Sequence, residues 1–265
     1  MKNAAALLEE YSMKRIISFF LCVLMTAALL AGCGDRKQRT TWIIAVDGDF
    51  SPFVCADANG KAVGLDVELL DAIARDQNFR YELRPSDWDT AMSVFTSHQA
   101  QVLMGSIASS QERIDGGWFF SRSFYNGVTQ SMAMEPSSDT NTLEDLAGKA
   151  VAVVSGTLGA AYAESVKDKY GFSIATFSDS HSMYAAVLKG RAAACFEDTP
   201  ALRDSIAGGV ALELVPGSEG AASDYCVAIC DEKDRPFLEL FNQGLANIRA
   251  NGIYDAILAK YADTL

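Results

Sequence analysis

Positive charge and histidine are scarce in this chain. Its 265 residues carry 22 Lys and Arg against 34 Asp and Glu, a formal net charge of −12. Phosphate backbones are held by basic faces, so this balance excludes nucleic acid as a partner. The two histidines, His98 and His181, lie far apart, and no spacing of histidine and cysteine fits a zinc site. No metal or cofactor is expected. Only one long apolar run is present, over residues 16–30, which argues against a multi-span membrane protein. No internal sequence repeat is visible. What remains is an ordinary globular composition, 49% hydrophobic and 21% charged, in a chain long enough for one large core or two modest ones.

The N-terminus carries the first specific signal. Lys14 and Arg15 precede the apolar run, and Ala31, Gly32 and Cys33 follow it. That order is a secretory signal with a small-residue cut, and the run is shorter than the ~20 residues that usually span a bilayer. The pattern Leu29-Leu30-Ala31-Gly32-Cys33 resembles a bacterial lipobox. The resemblance implies a lipoprotein signal peptide over residues 1–32, a lipidated Cys33, and a polar tether over residues 33–41. A membrane-spanning anchor is the competing reading. Glu9 and Glu10 lie ahead of the basic pair, so Met13 is the expected start. With Cys22 in the signal, four cysteines remain for the fold: Cys55, Cys195, Cys226 and Cys230. Cys226 and Cys230 share a strand face but sit ~13 Å apart along it, too far to bridge each other. Buried free thiols and a disulfide between more distant pairs both stay open.

From residue 41 onward, short apolar strands alternate with helical patterns, which predicts an α/β fold with mainly parallel sheets. Strands are expected at 42–46, 79–83 and 101–104, with helices at 65–77 and 88–95 between them; Asp66 is placed to cap the first helix. After a turn-rich linker at 135–142, strands at 150–154, 173–177 and 193–196 alternate with helices at 157–169 and 179–188. A strand at 225–229 and two amphipathic helices follow, the first with Phe237, Leu240, Phe241 and Leu245 on one face. Two such units suggest two lobes, 42–127 with 223–265 and 128–222, hinged near 125–128 and 222–225. Ligands of such folds bind at the carboxyl ends of strands and at helix N-termini.

Several polar segments fall at those positions. Asp47-Gly48-Asp49-Phe50-Ser51-Pro52-Phe53 follows the first strand, Gly64-Leu65-Asp66 opens the first helix, and Ser86-Asp87-Trp88-Asp89 opens the second. Gly105-Ser106-Ile107-Ala108-Ser109-Ser110-Gln111-Glu112-Arg113, Phe120-Ser121 with Phe124-Tyr125, Ser155-Gly156-Thr157 and Glu197-Asp198 come later. In their order and spacing these motifs resemble the family-3 solute-binding proteins of ABC importers, which include histidine-, glutamine- and lysine/arginine/ornithine-binding proteins. The resemblance runs from about 42 to 261 and implies the type II periplasmic-binding-protein fold, with a ligand cleft between its lobes.

An amino-acid zwitterion loses water from both its charges when such a cleft closes, so each charge needs a partner. Arg113 offers a planar fork for a carboxylate, and a helix beginning at Thr157 would aim free N–H groups at it. Asp198 is placed to take the ammonium, and Phe50 and Trp88 to wall the ligand side chain. The family resemblance gives these positions the same roles, adds Ser106 and, through its N–H, Ala108 as ligand contacts, and gives Asp47 a polar or cationic side chain to meet. Ala108 and Leu158 lack hydroxyls that relatives often have there, each worth about 1 kcal/mol of binding. Plainer readings stand beside these: Thr157 and Asp198 as bare helix caps, Trp88 or Phe50 as core, Asp47 as the brace of its own turn.

The expected function is therefore capture of a small zwitterion, most simply a polar amino acid, by a monomer that delivers it to a membrane permease and does not act as an enzyme. The expected location is extracytoplasmic, at the cell membrane. Two alternatives are a lyase resembling the cyclohexadienyl dehydratases, for which Glu112 and Glu197 are general-acid candidates by adjacency alone, and a sensory ligand-binding module. Side chains next to inward-facing ones on a strand point away, which speaks against Glu197 in that role.

Overall fold

The computed structural model describes residues 41–265 except Ala221, Asp263 and the side chain of Ser106. Cys33 and the expected signal segment lie outside the described residues.

The first strand, β1 (Thr41–Asp47), leads into a small antiparallel sheet of β2 (Asp49–Phe50), β3 (Val54–Ala56) and β4 (Ala62–Val63). Then come α1 (Leu65–Gln77), β5 (Arg80–Ser86), α2 (Trp88–Thr96), β6 (Val102–Ala108), the short helix α3 (Gln111–Asp115), β7 (Phe119–Phe120) and β8 (Tyr125–Val128). The second run holds β9 (Gln130–Met134), β10 (Ala150–Val154), α4 (Leu158–Tyr170), β11 (Ser173–Phe177), α5 (Ser180–Leu188), β12 (Ala194–Asp198), α6 (Thr199–Ala207) and β13 (Glu213–Leu214). The chain then returns through β14 (Ser223–Ile229) to α7 (Arg235–Ala250) and α8 (Ile253–Leu258). Among the described residues no helix is long and apolar enough to cross a membrane.

Two larger sheets result. One has the order β5-β1-β6-β14-β7 with β8 also pairing β14; the other has the order β11-β10-β12-β9-β13. The expected parallel pairing holds for three strands of each, with β1 parallel to β5 and β6, and β10 parallel to β11 and β12. The remaining pairings are antiparallel, and three of their strands, β8, β9 and β14, carry the chain out of one unit and back into the other. Both crossings lie side by side, since β8 pairs with β14 and places Val128 opposite Ser223.

Burial follows the apolar patterning. Leu65, Leu69, Leu70 and Ile73 of α1 meet Trp42, Ile44, Phe237 and Phe241 in one core. Met132, Val151, Val153, Phe172 and Phe196 form a second. A third cluster takes Ala45, Trp88 and Phe95 from the side of the first large sheet and Ala152, Val154 and Met183 from the second.

Asp66 does not cap α1. Gly64 occupies the N-cap position at φ 124°, where a Cβ would stand 2.3 Å from the Phe53 carbonyl oxygen, and Asp66 is buried within the first turn. The four described cysteines are free thiols. Burial raises Cys226 to about 11 and pushes Cys195 higher still, so neither is a thiolate near neutrality.

Candidate functional site

The carboxyl ends of β1 and β12 and the N-terminal ends of α2, α4 and α5 converge on one pocket. It holds about 430 Å³ of space, part of it open to solvent, and is lined by Asp47, Phe50, Trp88, Arg113, Thr157 and Asp198, six of the eight ligand residues expected from the sequence. Ala108 lies farther out, in an adjoining pocket that shares Arg113 and Thr157. Ser106 is on β6, but its side chain falls outside the described residues.

Arg113 is carried by α3, whose start is fixed by Ser110: its hydroxyl accepts from the Arg113 N–H at 3.3 Å. The guanidinium spans the cleft. Nη1 donates to the Ala108 carbonyl at 2.7 Å, and Nη2 donates to the Gly156 carbonyl at 2.9 Å on the far side. These bonds use two of the five guanidinium N–H groups and aim the rest. Burial lowers the Arg113 pKa without bringing it near neutrality. Ala108 thus supports Arg113 through its carbonyl.

Trp88 also bridges the cleft. It opens α2 behind Asp87, whose carboxylate accepts from the Thr90 N–H at 2.9 Å, and its Nε1–H donates to the Ser155 carbonyl at 2.9 Å. Phe50 is buried and stacks on Phe53, with ring centroids 5.7 Å apart. A third bridge lies at the rim, where His181 Nδ1 sits 3.0 Å from Asp49 Oδ2.

Thr157 is the N-cap of α4: its hydroxyl accepts from the Ala160 N–H at 3.2 Å and donates to the Val154 carbonyl at 2.8 Å. The capping reading is therefore correct for the side chain, and Thr157 and Leu158 of the helix start line the pocket. Gly159 lets that start press against β12, because a Cβ there would lie 2.5 Å from the Phe196 carbonyl oxygen. Asp198 ends β12 at the N-cap position of α6 but makes no side-chain capping bond. Its carboxylate instead accepts from Gln130 Nε2 at 3.1 Å and from the Tyr225 hydroxyl. Burial raises its pKa to about 6. Asp47 does brace its own turn, accepting from the Asp49 N–H at 3.1 Å, and burial raises it too to about 6.

Six further residues line it as well, among them two with polar side chains: Ser180, at the start of α5, and Glu197. Glu197 is 4% exposed, and its Oε2 accepts from the Tyr184 hydroxyl at 2.6 Å. Desolvation raises its pKa to about 8. Glu112 lines only the adjoining outer pocket. The whole arrangement, with a guanidinium fork, a helix N-terminus, buried carboxylates and two aromatic walls, suits a small molecule bearing charges of both signs.

Comparison with known proteins agrees with this geometry. Among curated relatives, the L-cystine-binding protein TcyJ of Escherichia coli K12 is 24% identical over 249 residues, covering 89% of this chain and 92% of that protein. The lysine/arginine/ornithine-binding periplasmic protein of the same strain is 25% identical over 236 residues, covering 83% and 86%. Among solved structures, an ancestral arginine-binding protein bound to arginine matches with 25% identity and a TM-score of 0.75, over 86% of this chain and 99% of the other. Those neighbours share the two-lobed type II periplasmic-binding architecture. The profile of the bacterial extracellular solute-binding proteins, family 3, covers residues 42–264, and the chain belongs to that family.

Proposed function

We propose that the protein is the substrate-binding component of an ABC importer, held at the outer face of the membrane by lipid on Cys33, and that it captures an amino acid by closing two lobes. The lobes are 42–127 with 223–265, and 128–222. In this reading the ligand carboxylate lies against Arg113 and the N-terminus of α4, with Ser106 nearby, and the ammonium meets Asp198. Its side chain lies between Phe50 and Trp88. The observation that carries the proposal is Arg113, which reaches across the cleft from one lobe to the Gly156 carbonyl of the other and still has donors for a carboxylate. Closure buries those donors together with the ligand, so recognition and lobe movement are one event.

The test is thermal unfolding of the protein against all L-amino acids, prephenate and arogenate. At a thousandfold excess over Kd, binding adds about 4 kcal/mol. For a chain of this size that raises Tm by roughly 8–16 °C. One such shift, with the amino acid recovered unchanged, supports the proposal; no shift with any amino acid overturns it. Glu197 favours a second reading: a buried carboxyl that holds its proton near neutrality is what a lyase uses as general acid. Conversion of prephenate or arogenate would establish that reading instead.

A further inference from the structure

The helix that carries the proposed carboxylate anchor has no packed face of its own. α3 is five residues long, and none of its side chains is buried. Of the two bonds that Arg113 makes, the one to the Ala108 carbonyl is local, while the one to the Gly156 carbonyl needs the far side of the cleft. Before the proposed closure, a single hydrogen bond would leave the planar fork free to swing, and a swinging fork loses its advantage over a plain point charge. Another group has to fix its plane.

Trp118 is placed to do so. The turn after α3 brings it back toward the anchor: the Gly117 N–H donates to the Ile114 carbonyl at 3.0 Å and the Trp118 N–H to the Arg113 carbonyl at 3.0 Å. Gly117 supplies the φ of 86° that this turn needs. The guanidinium carbon of Arg113 then lies over the indole ring, 5.5 Å from its centroid, within the range at which the ring quadrupole holds a cation. The ring is itself held. The fully buried Phe95 meets it edge-on, with centroids 4.9 Å apart and planes at 84°, and Phe120 lies 6.3 Å away. Phe95 belongs to α2, the helix that opens with Trp88, so one helix supports both side chains that bridge the cleft from this side beside the pocket. Trp118 lines the outer pocket beside Arg113, outside the described lining of the inner one. We propose that Trp118 is a positioning residue: without meeting the ligand, its indole face fixes the plane of the Arg113 guanidinium, so that the free N–H groups are set for a carboxylate before the lobes close. The assignment rests on the proposed amino-acid capture and deepens it.

The experiment is calorimetric titration of the full-length protein in detergent with the protein amino acids and L-cystine, and with the α-carboxamide of each that binds, weak carboxamide binding being read by displacement. A carboxamide keeps the shape of the carboxylate end and removes its charge, so the ratio of the two affinities reads the grip of Arg113. Trp118→Leu should lower that ratio about tenfold, the scale of a desolvated cation–π contact, and Trp118→Phe, which keeps an aromatic face, by no more than about threefold. Because each ratio compares two ligands on one protein, partial misfolding of a variant cancels, and a merely structural role would weaken both ligands alike. A ratio unchanged by Trp118→Leu, or an equal loss in Trp118→Phe, overturns the positioning role while amino-acid capture stands. Equal binding of amino acid and carboxamide by wild type removes Arg113 as the anchor and this role with it. If no amino acid binds, capture fails as well.

Discussion

Glu197 and Asp198 are consecutive residues that reach one pocket, which strict strand alternation forbids. Both stand at the carboxyl end of β12, where the strand gives way to α6 with Asp198 at its N-cap, and the pocket lies at that strand end. The same burial that places Glu197 in the pocket makes it titrate far from its ordinary range. In the unfolded chain it ionises near 4.5, and in the fold near 8. A raised carboxyl pKa means that the fold prefers the protonated form. Stability is therefore fully present below about pH 4.5 and declines as pH rises toward 8, beyond which the loss is complete. Tm of the ligand-free protein should fall between pH 5 and pH 8, and Glu197→Gln should flatten the decline; a wild-type Tm that is level across that window contradicts the assignment.

At the scale of elements, α4 is positioned by what its first turn lacks. Gly159 has no side chain, and the helix start rests on the backbone of Phe196, just before the strand end that bears Glu197 and Asp198. An added methyl would meet carbonyl atoms that cannot turn aside. Gly159→Ala should cost about 1–3 kcal/mol. At 2–4 °C per kcal/mol, that lowers Tm by roughly 2–12 °C, and it should weaken ligand binding by tilting the N–H groups outward. An unchanged Tm and affinity would show that the helix start has room to move. The parallel strands and long helices were legible in the sequence because each repeats its apolar pattern over enough residues to set a period. The two-residue strands β2 and β7 and the five-residue helix α3, little more than one turn, are too short to do so, and they are placed by tertiary contact. Arg113 was legible through its motif even though its helix was not. Asp66 misled for a related reason: an acidic residue near a helix start reads as a cap, but here Gly64 fits where no side chain can.

At the scale of the whole molecule, two units with separate cores meet across a cleft and are tied by Arg113 to Gly156, Trp88 to Ser155, and His181 to Asp49. The first two ties come from Arg113 and Trp88, which also line the pocket, so in the proposed function the groups that meet the ligand are those that hold the lobes together. The crossings through β8 and β14 are adjacent, as one common hinge line for the proposed closure requires. Sequence order announced two repeated α/β units, but it could not show that both chain crossings pair in one sheet. Central to this account is Arg113, as both carboxylate anchor and bridge. The most direct test is calorimetric titration of wild type and Arg113→Ala with the amino acid found by the thermal panel. The account predicts a loss of about 2–5 kcal/mol in binding free energy. Undiminished affinity in Arg113→Ala would contradict it.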